Sequence, residues 1–247
     1  MEEKIKRLQE IIDSSDNIVF FGGAGVSTES GVPDFRSKDG LYNQHDVRFD
    51  QYRPEYLLSH SCLANEPKVF FEFYRQKMDT RNIEPNAAHK YLAELEKAGK
   101  LRAVVTQNID GLHQKAGSRR VYEIHGTTLR NYCSRCGKEY GPDYIFDSKA
   151  PIPKCSCGGM VRCDVTLYEE QLPYKAVEKS VAAISDAEVL IIGGTSLTVY
   201  PAASYVNYFR GKHIVIINKE HLQYGLDPIN DLEINLPIGH VFSQLHV

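Results

Sequence analysis

Four of the six cysteines in this 247-residue chain crowd into one stretch, with the spacing of a metal site. Cys133 and Cys136 form a C-x-x-C pair, eighteen residues follow, and Cys155 and Cys157 form a C-x-C pair. Two thiolate pairs separated by roughly 15–20 residues suit a tetrahedral Zn²⁺ ribbon. Thiolates would fill all four positions, so we expect one structural zinc ion per chain with no open position for water. Four structural thiols without a metal are the alternative.

A glycine-rich segment, GGAGVSTESG, follows the apolar run IVFF and spans Gly22 to Gly31. Glycines let a backbone approach a diphosphate closely, and N–H groups at the start of a helix bind anions, so the segment predicts a dinucleotide site. A simple turn from strand to helix is the alternative. Thr28 occupies the third glycine position of G-x-G-x-x-G, and no strand ends in an acidic residue about 20 positions later. An ordinary dehydrogenase is therefore disfavoured.

Three further segments carry polar side chains suited to a site. In VPDFRSKDGLY, Phe35 could cover a cofactor and Arg36 could contact a phosphate, although surface loops also contain this pattern. In TQNIDGLH, the side chains of Gln107, Asn108 and Asp110 can bind ribose hydroxyls or a carboxamide, or form a turn that caps a helix.

The histidine of EIHGT follows a predicted strand and could serve as a general base near neutral pH. A lone histidine is also commonly a structural residue, and the chain has nine of them. The position of His125 at a strand end makes it the candidate base.

Short apolar runs alternate with helical patterns along the chain, which predicts a parallel sheet covered by helices on both faces. The predicted strands are Ile18–Phe21, Ala103–Thr106, Val121–Ile124, Val189–Ile192 and Ile214–Ile217. The predicted helices are Met1–Asp16, Pro67–Arg81, Asn86–Ala98, Pro173–Ile184 and Pro201–Phe209. Ligands bind at the carboxyl ends of strands in such sheets, where the polar segments described above begin. Two stretches break the alternation: an aromatic-rich helical excursion over Gly40–Asn82 and the cysteine-bearing module over Thr127–Arg162.

The balance of charge gives no reason to expect a polyanionic partner. There are 29 basic and 32 acidic side chains, a net charge of −3, and 42% of residues are hydrophobic. We therefore expect no direct binding to nucleic acid or to a membrane surface. The N-terminus reads as an amphipathic helix rather than a signal peptide, which predicts a cytoplasmic protein with reduced thiols.

Together the motifs GAGVSTESGVPDFR, TQNID, EIHG, the two cysteine pairs, GGTSLTVYPAA and VIINK occur in one fixed order. This order resembles the sirtuin (Sir2) family of NAD-dependent protein lysine deacylases, over about Ile18 to Val241. The resemblance implies an α/β fold: a Rossmann-like parallel sheet domain with an inserted small zinc-ribbon domain and a helical segment. Its bounds would be 1–41, 83–126 and 163–247 for the NAD-binding domain, 42–82 for the helical insertion and 127–162 for the ribbon.

The resemblance also implies roles for residues at matching positions. His125 matches the catalytic base. The expected contacts to the diphosphate and its neighbouring ribose are Ala24, Gly25, Thr28 and Arg36, with Phe35 shielding the nicotinamide. The expected contacts to the nicotinamide ribose and carboxamide are Gln107, Asn108, Ile109 and Asp110. The expected contacts on the adenosine side are Gly194, Thr195, Ser196, Asn218 and Val241.

The implied reaction is NAD-dependent deacetylation of acetyl-lysine in a protein, which transfers the acetyl group to ADP-ribose and releases nicotinamide and O-acetyl-ADP-ribose. The acetylated peptide would add as a strand between Val165–Glu170 and the Ser196–Tyr200 loop. The enzyme is expected to be a monomer. Mono-ADP-ribosyl transfer to a protein and a non-catalytic NAD-sensing module are the other functions considered.

The sequence departs from the family pattern at three places. The second cysteine pair is C-x-C where C-x-x-C is commoner, and Cys163 stands where a proline is usual; we expect Cys163 and Cys62 to be free thiols. Family members that remove succinyl or malonyl groups carry a Tyr-x-x-Arg pair, whereas here Tyr74 is followed by Lys77. A lysine supplies charge without a bidentate fork, so desuccinylase or demalonylase activity is an alternative that is not favoured.

Overall fold

A six-stranded parallel sheet forms the centre of the protein in the computed structural model, which describes residues 1–247. Its strands are β1 Ile18–Gly22, β2 Leu101–Thr106, β3 Val121–Glu123, β7 Val189–Gly193, β8 His213–Ile217 and β9 Leu232–Ile234, in the order β3-β2-β1-β7-β8-β9. The predicted α/β fold is confirmed, and all five predicted strands are present. β9 was not predicted, because its apolar residues Leu232 and Ile234 stand among polar and turn-forming residues and form no continuous apolar run.

Helices cover both faces of the sheet because successive strand side chains point to opposite faces. Phe20 belongs to the core beneath α1 Glu2–Asp13, α5 Ala87–Lys97 and α9 Ile238–Phe242. Val19 and Phe21 belong to the core beneath α8 Tyr174–Asp186 and the 3₁₀ helix Ala202–Tyr208. The short helix α6 Leu112–Ala116 follows β2. No helix is long and apolar enough to cross a membrane.

The remaining elements pack around a third core beside the sheet. The helices α2 Pro54–Leu57, α3 His60–Asn65 and α4 Pro67–Lys77 come from the insertion after β1. The antiparallel strands β4 Gly126–Cys133, β5 Glu139–Tyr140 and β6 Val161–Val165, with α7 Asp143–Phe146, carry the cysteines. Residues of both groups, among them Phe70, Tyr74, Val161 and Cys163, form one buried cluster. The helical insertion and the ribbon therefore stabilise each other.

Two predicted helices differ in extent or type from those observed. The helix predicted over Pro67–Arg81 ends at Lys77, and the Asp79 carboxylate accepts a hydrogen bond from the backbone N–H of Arg81, a local turn that competes with helix. The helix predicted over Pro201–Phe209 is a 3₁₀ helix, consistent with its weak helix formers Ser, Tyr, Val and Asn.

Candidate active site

The site lies where the strand order reverses, between β1 and β7, at the carboxyl ends of the strands. The backbone N–H of Gly25 donates to the carbonyl of Gly194 at 2.8 Å. A Cβ at Gly25 would lie 2.8 Å from the Gly194 Cα, and one at Gly194, whose φ is 57°, would lie 2.4 Å from the backbone N of Val26. The glycines therefore let the two strand tails cross in direct contact, a need that the sequence analysis did not foresee.

This crossing decides which N–H groups remain free for an anion. The N–H of Gly25 is occupied by Gly194, whereas those of Ala24, Thr195 and Ser196 make no hydrogen bond within the chain. All four residues line the cavity. Free N–H donors on the two tails can bind an anion such as a diphosphate.

A cavity of about 1260 Å³ opens from this crossing. It brings together most of the residues predicted from the sequence: Ala24, Gly25, Thr28, Phe35, Arg36, Gln107, Asn108, Ile109, His125, Gly194, Thr195, Ser196 and Asn218. The volume exceeds the usual few hundred to ~1000 Å³ of a small-molecule pocket, and can hold a dinucleotide with part of a second substrate.

Asp110 and Val241 are the two predicted site residues that do not line the cavity. Val241 is fully buried on α9, within the core that contains Phe20. Asp110 is buried behind the cavity wall. Val241 was placed in the site by motif position, and Asp110 by its carboxylate near a strand end as well as by motif position; neither signal reveals whether a residue faces the cavity or the core.

Asp110 nevertheless reaches the cavity through another side chain. Ser27 Oγ donates to Asp110 Oδ2 at 2.6 Å and accepts from Asn108 Nδ2 at 3.1 Å. Burial raises the pKa of Asp110, and the hydrogen bond from Ser27 opposes that rise. The chain of bonds fixes the amide of Asn108, which lines the cavity.

His125 lies just past β3 and is half-buried in the cavity wall. Its Nδ1 lies 2.9 Å from the carbonyl oxygen of Gln107, and a carbonyl only accepts, so Nδ1 carries the proton. In the neutral ring Nε2 is then the basic nitrogen. Burial lowers the pKa of His125 below 6.5, against the smaller opposing effect of the Gln107 carbonyl. The geometry suits a general base at neutral pH.

Hydrogen bonds and an aromatic contact within the loop from Asp34 to Tyr42 fix its conformation. The Asp34 carboxylate accepts from the N–H groups of Arg36 and Ser37 at 3.0 and 2.7 Å. Phe35 and Tyr42 meet edge to face with ring centroids 5.4 Å apart. The loop therefore presents an aromatic wall to the cavity, which Phe35 and Tyr42 line.

Arg36 forms no salt bridge, and its guanidinium donates only to the hydroxyl of Tyr168 at 3.2 Å. That hydroxyl lies 3.0 Å from the hydroxyl of Tyr42. Arg36 is thus a cation at the cavity with no carboxylate partner, and it is available to a phosphate.

No direct role was predicted for Ser27, Tyr42 or Tyr168. Tyr42 follows the glycine turn of VPDFRSKDGLY, and an aromatic residue at that place was the available signal, whereas Tyr168 follows no glycine. The role of Ser27 had no sequence signal, because its partner Asp110 is 83 positions away.

The four cysteines of the ribbon meet at one point, with sulfur atoms all within 4.8 Å of one another. Sγ of Cys133 lies 3.5 Å from that of Cys157, and Sγ of Cys136 lies 3.7 Å from that of Cys155. A tetrahedron with Zn–S bonds of about 2.3 Å needs sulfur separations of about 3.8 Å. The donor set fits Zn²⁺, and the cluster can bind one zinc ion.

The glycines beside the cysteines permit the tight turns that such a site requires. Gly137 and Gly158 have φ of 73° and 83°, in the left-handed region. A Cβ at Gly159 would lie 2.7 Å from Sγ of Cys133. The C-x-C spacing therefore still brings both sulfurs to the cluster.

The other departures from the family pattern lie outside the sulfur cluster and the cavity lining. Cys163 and Cys62 are fully buried free thiols, and neither belongs to the sulfur cluster, as expected. Tyr74 is fully buried and stacks on Phe146, while Lys77 Nζ donates a hydrogen bond to Gln44 Oε1 at 3.1 Å. Neither Tyr74 nor Lys77 lines the cavity.

Comparison with known proteins identifies the family. Residues 23–201 match the model of the Sir2 family. The chain belongs to the Sir2 family. It is 54% identical over 248 residues to an NAD-dependent protein deacetylase of Clostridium perfringens, with 99% of each chain covered. It is 53% identical over 244 residues to an enzyme of the same name from Clostridium acetobutylicum, with 98% of each covered.

Solved structures of Sir2 proteins share the fold. A Sir2 protein bound to a deacetylated peptide and 3′-O-acetyl ADP ribose superposes with a TM-score of 0.86 at 33% identity, covering 98% of this chain and 96% of its own. The match to this family agrees with the incomplete G-x-G-x-x-G pattern, which disfavoured an ordinary dehydrogenase.

Proposed function

We propose that this Sir2 protein is an NAD-dependent protein lysine deacetylase and that the cavity between β1 and β7 is its active site. The observation that carries the proposal is His125, whose neutral ring presents an unprotonated Nε2 in a cavity that also holds free N–H donors and an unpaired Arg36. The relatives that match nearly the whole chain are named for this activity.

NAD supplies the ADP-ribosyl group that accepts the acetyl group as nicotinamide leaves. The diphosphate and its neighbouring ribose would be held by the free N–H of Ala24, by the side chains of Thr28 and Arg36, and by the crossing at Gly25. Phe35 would exclude water from the nicotinamide side. The adenosine side would be held by Gly194, Thr195, Ser196 and Asn218.

The residues on the β2 tail orient the reacting ribose. Gln107 donates from Nε2 to Thr195 Oγ1 at 3.0 Å, which ties the β2 tail to the β7 tail. Asn108 is fixed by Ser27, and Ile109 forms part of the apolar wall. Once the acetyl oxygen has displaced nicotinamide at C1′ of the ribose, His125 Nε2 would take the proton of a ribose hydroxyl, so that this oxygen can attack the carbon of the acetyl group. Water would then add to that carbon as its bond to the lysine nitrogen breaks, which releases the free lysine and O-acetyl-ADP-ribose. Asp110 acts through Ser27, as a positioning residue.

The second substrate is an acetylated protein or peptide. The segment Val165–Leu172 lines the cavity, as do Ser196, Val199 and Tyr200, and this supports an extended peptide placed between the two segments. We further propose a cytoplasmic monomer that binds no nucleic acid, with the NAD-binding domain, helical insertion and ribbon divided at the bounds predicted from the sequence.

The acyl group is proposed to be neutral. Tyr74 and Lys77, the pair that could meet an acidic acyl group, lie outside the cavity lining, and Tyr74 is fully buried. The lining also includes the apolar residues Leu58, Ile109, Val165 and Leu167, which suit an uncharged acyl group.

A panel of acetyl-, succinyl- and malonyl-lysine peptides, incubated with NAD and analysed by mass spectrometry, tests the function. We expect NAD-dependent loss of 42 Da from the acetyl peptide with formation of O-acetyl-ADP-ribose, and little reaction of the acidic acyl peptides. Biotinylated NAD in the same assay would label an acceptor protein if the enzyme were a mono-ADP-ribosyltransferase. Labelling without deacetylation would contradict the proposal.

A further inference from the structure

The chain contains two non-glycine residues with a left-handed backbone, and both lie in segments that line the cavity. Glu169 has φ of 76° and Leu197 has φ of 54°. Their segments, Val165–Leu172 and Ser196–Tyr200, are those proposed to flank the substrate peptide. Such a conformation is unfavourable for a residue with a Cβ, and it persists where surrounding contacts determine it. The contacts around Glu169 therefore identify what shapes this edge of the cleft.

The helical insertion holds Glu169 from one side. Glu169 Oε2 accepts hydrogen bonds from both donors of Ser61, the backbone N–H at 2.9 Å and the hydroxyl at 2.6 Å. The backbone of the preceding residue is bonded in both directions: the N–H of Tyr168 donates to the carbonyl of Leu58 at 3.0 Å, and the N–H of His60 donates to the carbonyl of Tyr168 at 3.0 Å. Residues 58–61 and 168–169 are therefore joined by backbone and side-chain hydrogen bonds, which fix the position of 168–169.

The ribbon holds the following residue from the other side. Glu170 accepts from both terminal nitrogens of Arg162, at 2.6 and 2.9 Å, and from the backbone N–H of Leu167 at 3.0 Å. Its Oε1 also lies 3.0 Å from Nδ1 of His60. Adjacent carboxylates therefore fix the segment to two different parts of the molecule.

These bonds leave part of the segment's backbone available. The N–H groups of Glu169 and Gln171 make no hydrogen bond within the chain. These two N–H groups are available to the backbone of an added peptide.

We propose that Glu169 is a positioning residue for the protein substrate: its carboxylate, bonded to Ser61, holds the left-handed turn that presents the backbone edge of 167–171 to the peptide. The inference rests on the proposed function, because it takes the acetylated peptide as the strand that adds there. Glu169 acts on peptide binding and not on the chemistry at His125. Loss of the anchor is therefore expected to change the KM for peptide and not kcat.

Four variants separate the anchor from the backbone conformation. Glu169→Ala removes the carboxylate and keeps the unfavourable φ; we expect the KM for acetylated peptide to rise about 3- to 10-fold, with kcat and the KM for NAD within about twofold of wild type. Glu169→Gly permits the φ but lacks the anchor, so its KM for peptide should rise similarly. Glu169→Gln keeps an oxygen acceptor for Ser61 and should retain most of the wild-type affinity. Glu178→Ala, an exposed residue on α8 without a hydrogen-bonded partner, is the matched control and should change nothing.

Each alternative result would overturn the inference. A wild-type KM for peptide in Glu169→Ala would show that the anchor is dispensable, and a wild-type KM in Glu169→Gly would show that only the backbone conformation matters. Equal losses in kcat and in the KM for NAD would mark a general structural effect. Fluorescence anisotropy of a labelled acetyl-lysine peptide gives the same comparison as a Kd and does not require turnover. If wild type binds the peptide but does not deacetylate it, the proposed function fails while the role of Glu169 is still decided.

Discussion

The sulfur cluster and the dinucleotide cavity are built in opposite ways. All four cysteines come from the interval Cys133–Cys157, and two knuckle turns bring them together. The cavity draws on residues from Gly23 to Ile238, which meet only because β1, β2 and β7 end at the same edge of the sheet. A local site depends on spacing and turn chemistry, whereas the cavity depends on the topology of the whole sheet.

This difference predicts what damage to each site would do. The cluster shares a buried core with the helical insertion, so its loss should unfold structure far from the ligands. The residues proposed to contact the dinucleotide lie mainly on strand tails above two other cores that contain none of the cysteines. Leu58, Val165 and Leu167, on the proposed peptide side of the cavity, belong to the same core as the cluster. Changes on the strand tails should therefore reduce activity more than stability, and changes in the cluster should do the reverse.

Removal of the metal is the largest expected effect. Structural zinc contributes on the order of 10 kcal/mol to the folding of small metal-bound domains, so a strong chelator should abolish the cooperative unfolding transition of the ribbon and lower Tm. Elemental analysis should find about one zinc per chain, and Cys136→Ser should lose it. Cys62→Ala is the control: it removes a buried thiol outside the cluster and should leave the zinc content unchanged. A metal-free preparation with unchanged Tm and full activity would contradict the assignment.

Substitution of His125 should affect the cavity and leave the sulfur cluster intact. We expect His125→Ala to lower kcat by about 10²- to 10⁴-fold, because His125 is the only histidine that lines the cavity, while Tm and zinc content stay close to wild type. His45→Ala, at an exposed position, serves as the matched control. Equal deacetylation by wild type and His125→Ala would remove His125 from the mechanism.

Substitution of Ser27 should lower both the activity and the stability of the protein, and so reduce the difference between the two regions. Ser27→Ala leaves the buried carboxylate of Asp110 and the amide of Asn108 without their shared partner, at a cost of about 1–3 kcal/mol in the free energy of unfolding. Activity should fall as well, because the orientation of Asn108 is lost. Chemical denaturation and kcat/KM measured on the same preparations check both. Ser27→Thr, which keeps a hydroxyl, should recover part of each; no recovery would indicate that packing alone matters at this position.

The same contrast explains what could be predicted from the sequence. The four ligands followed from spacing, and the strands followed from short apolar runs with polar tails, since both signals are local. The position of His125 beyond β3 also followed from local pattern. The direction of Asp110 did not, because Gln107, Asn108 and Ile109 all line the cavity and no local pattern shows that the next side chain turns inward to Ser27. Val241 was assigned by motif position and proved to be a core residue on a five-residue helix.

Two features of the cavity could not be predicted from local sequence patterns. The contact between the tails at Gly25 and Gly194 depends on β1 and β7 being neighbours, although about 170 residues separate them. The bonds of Glu169 to Ser61 join the insertion to the segment after β6, and left-handed φ at a glutamate is not expected from its residue type. Residue types identify which side chains can react, and topology decides which of them meet.

The acid limit of activity is the smallest expected effect, and it tests which region fails first. The reaction needs neutral His125, and burial lowers the pKa of that ring below 6.5. The reactive form should therefore persist to lower pH than for an exposed histidine: kcat/KM should be flat near pH 7 and fall reversibly with a midpoint below 6.5. Acid also protonates zinc-bound thiolates, so zinc release should be followed with a chromogenic chelator in the same samples. Activity lost before any zinc appears assigns the midpoint to His125. If the two losses coincide at every pH, the limit belongs to the cluster, and the separation between the two regions does not hold in acid.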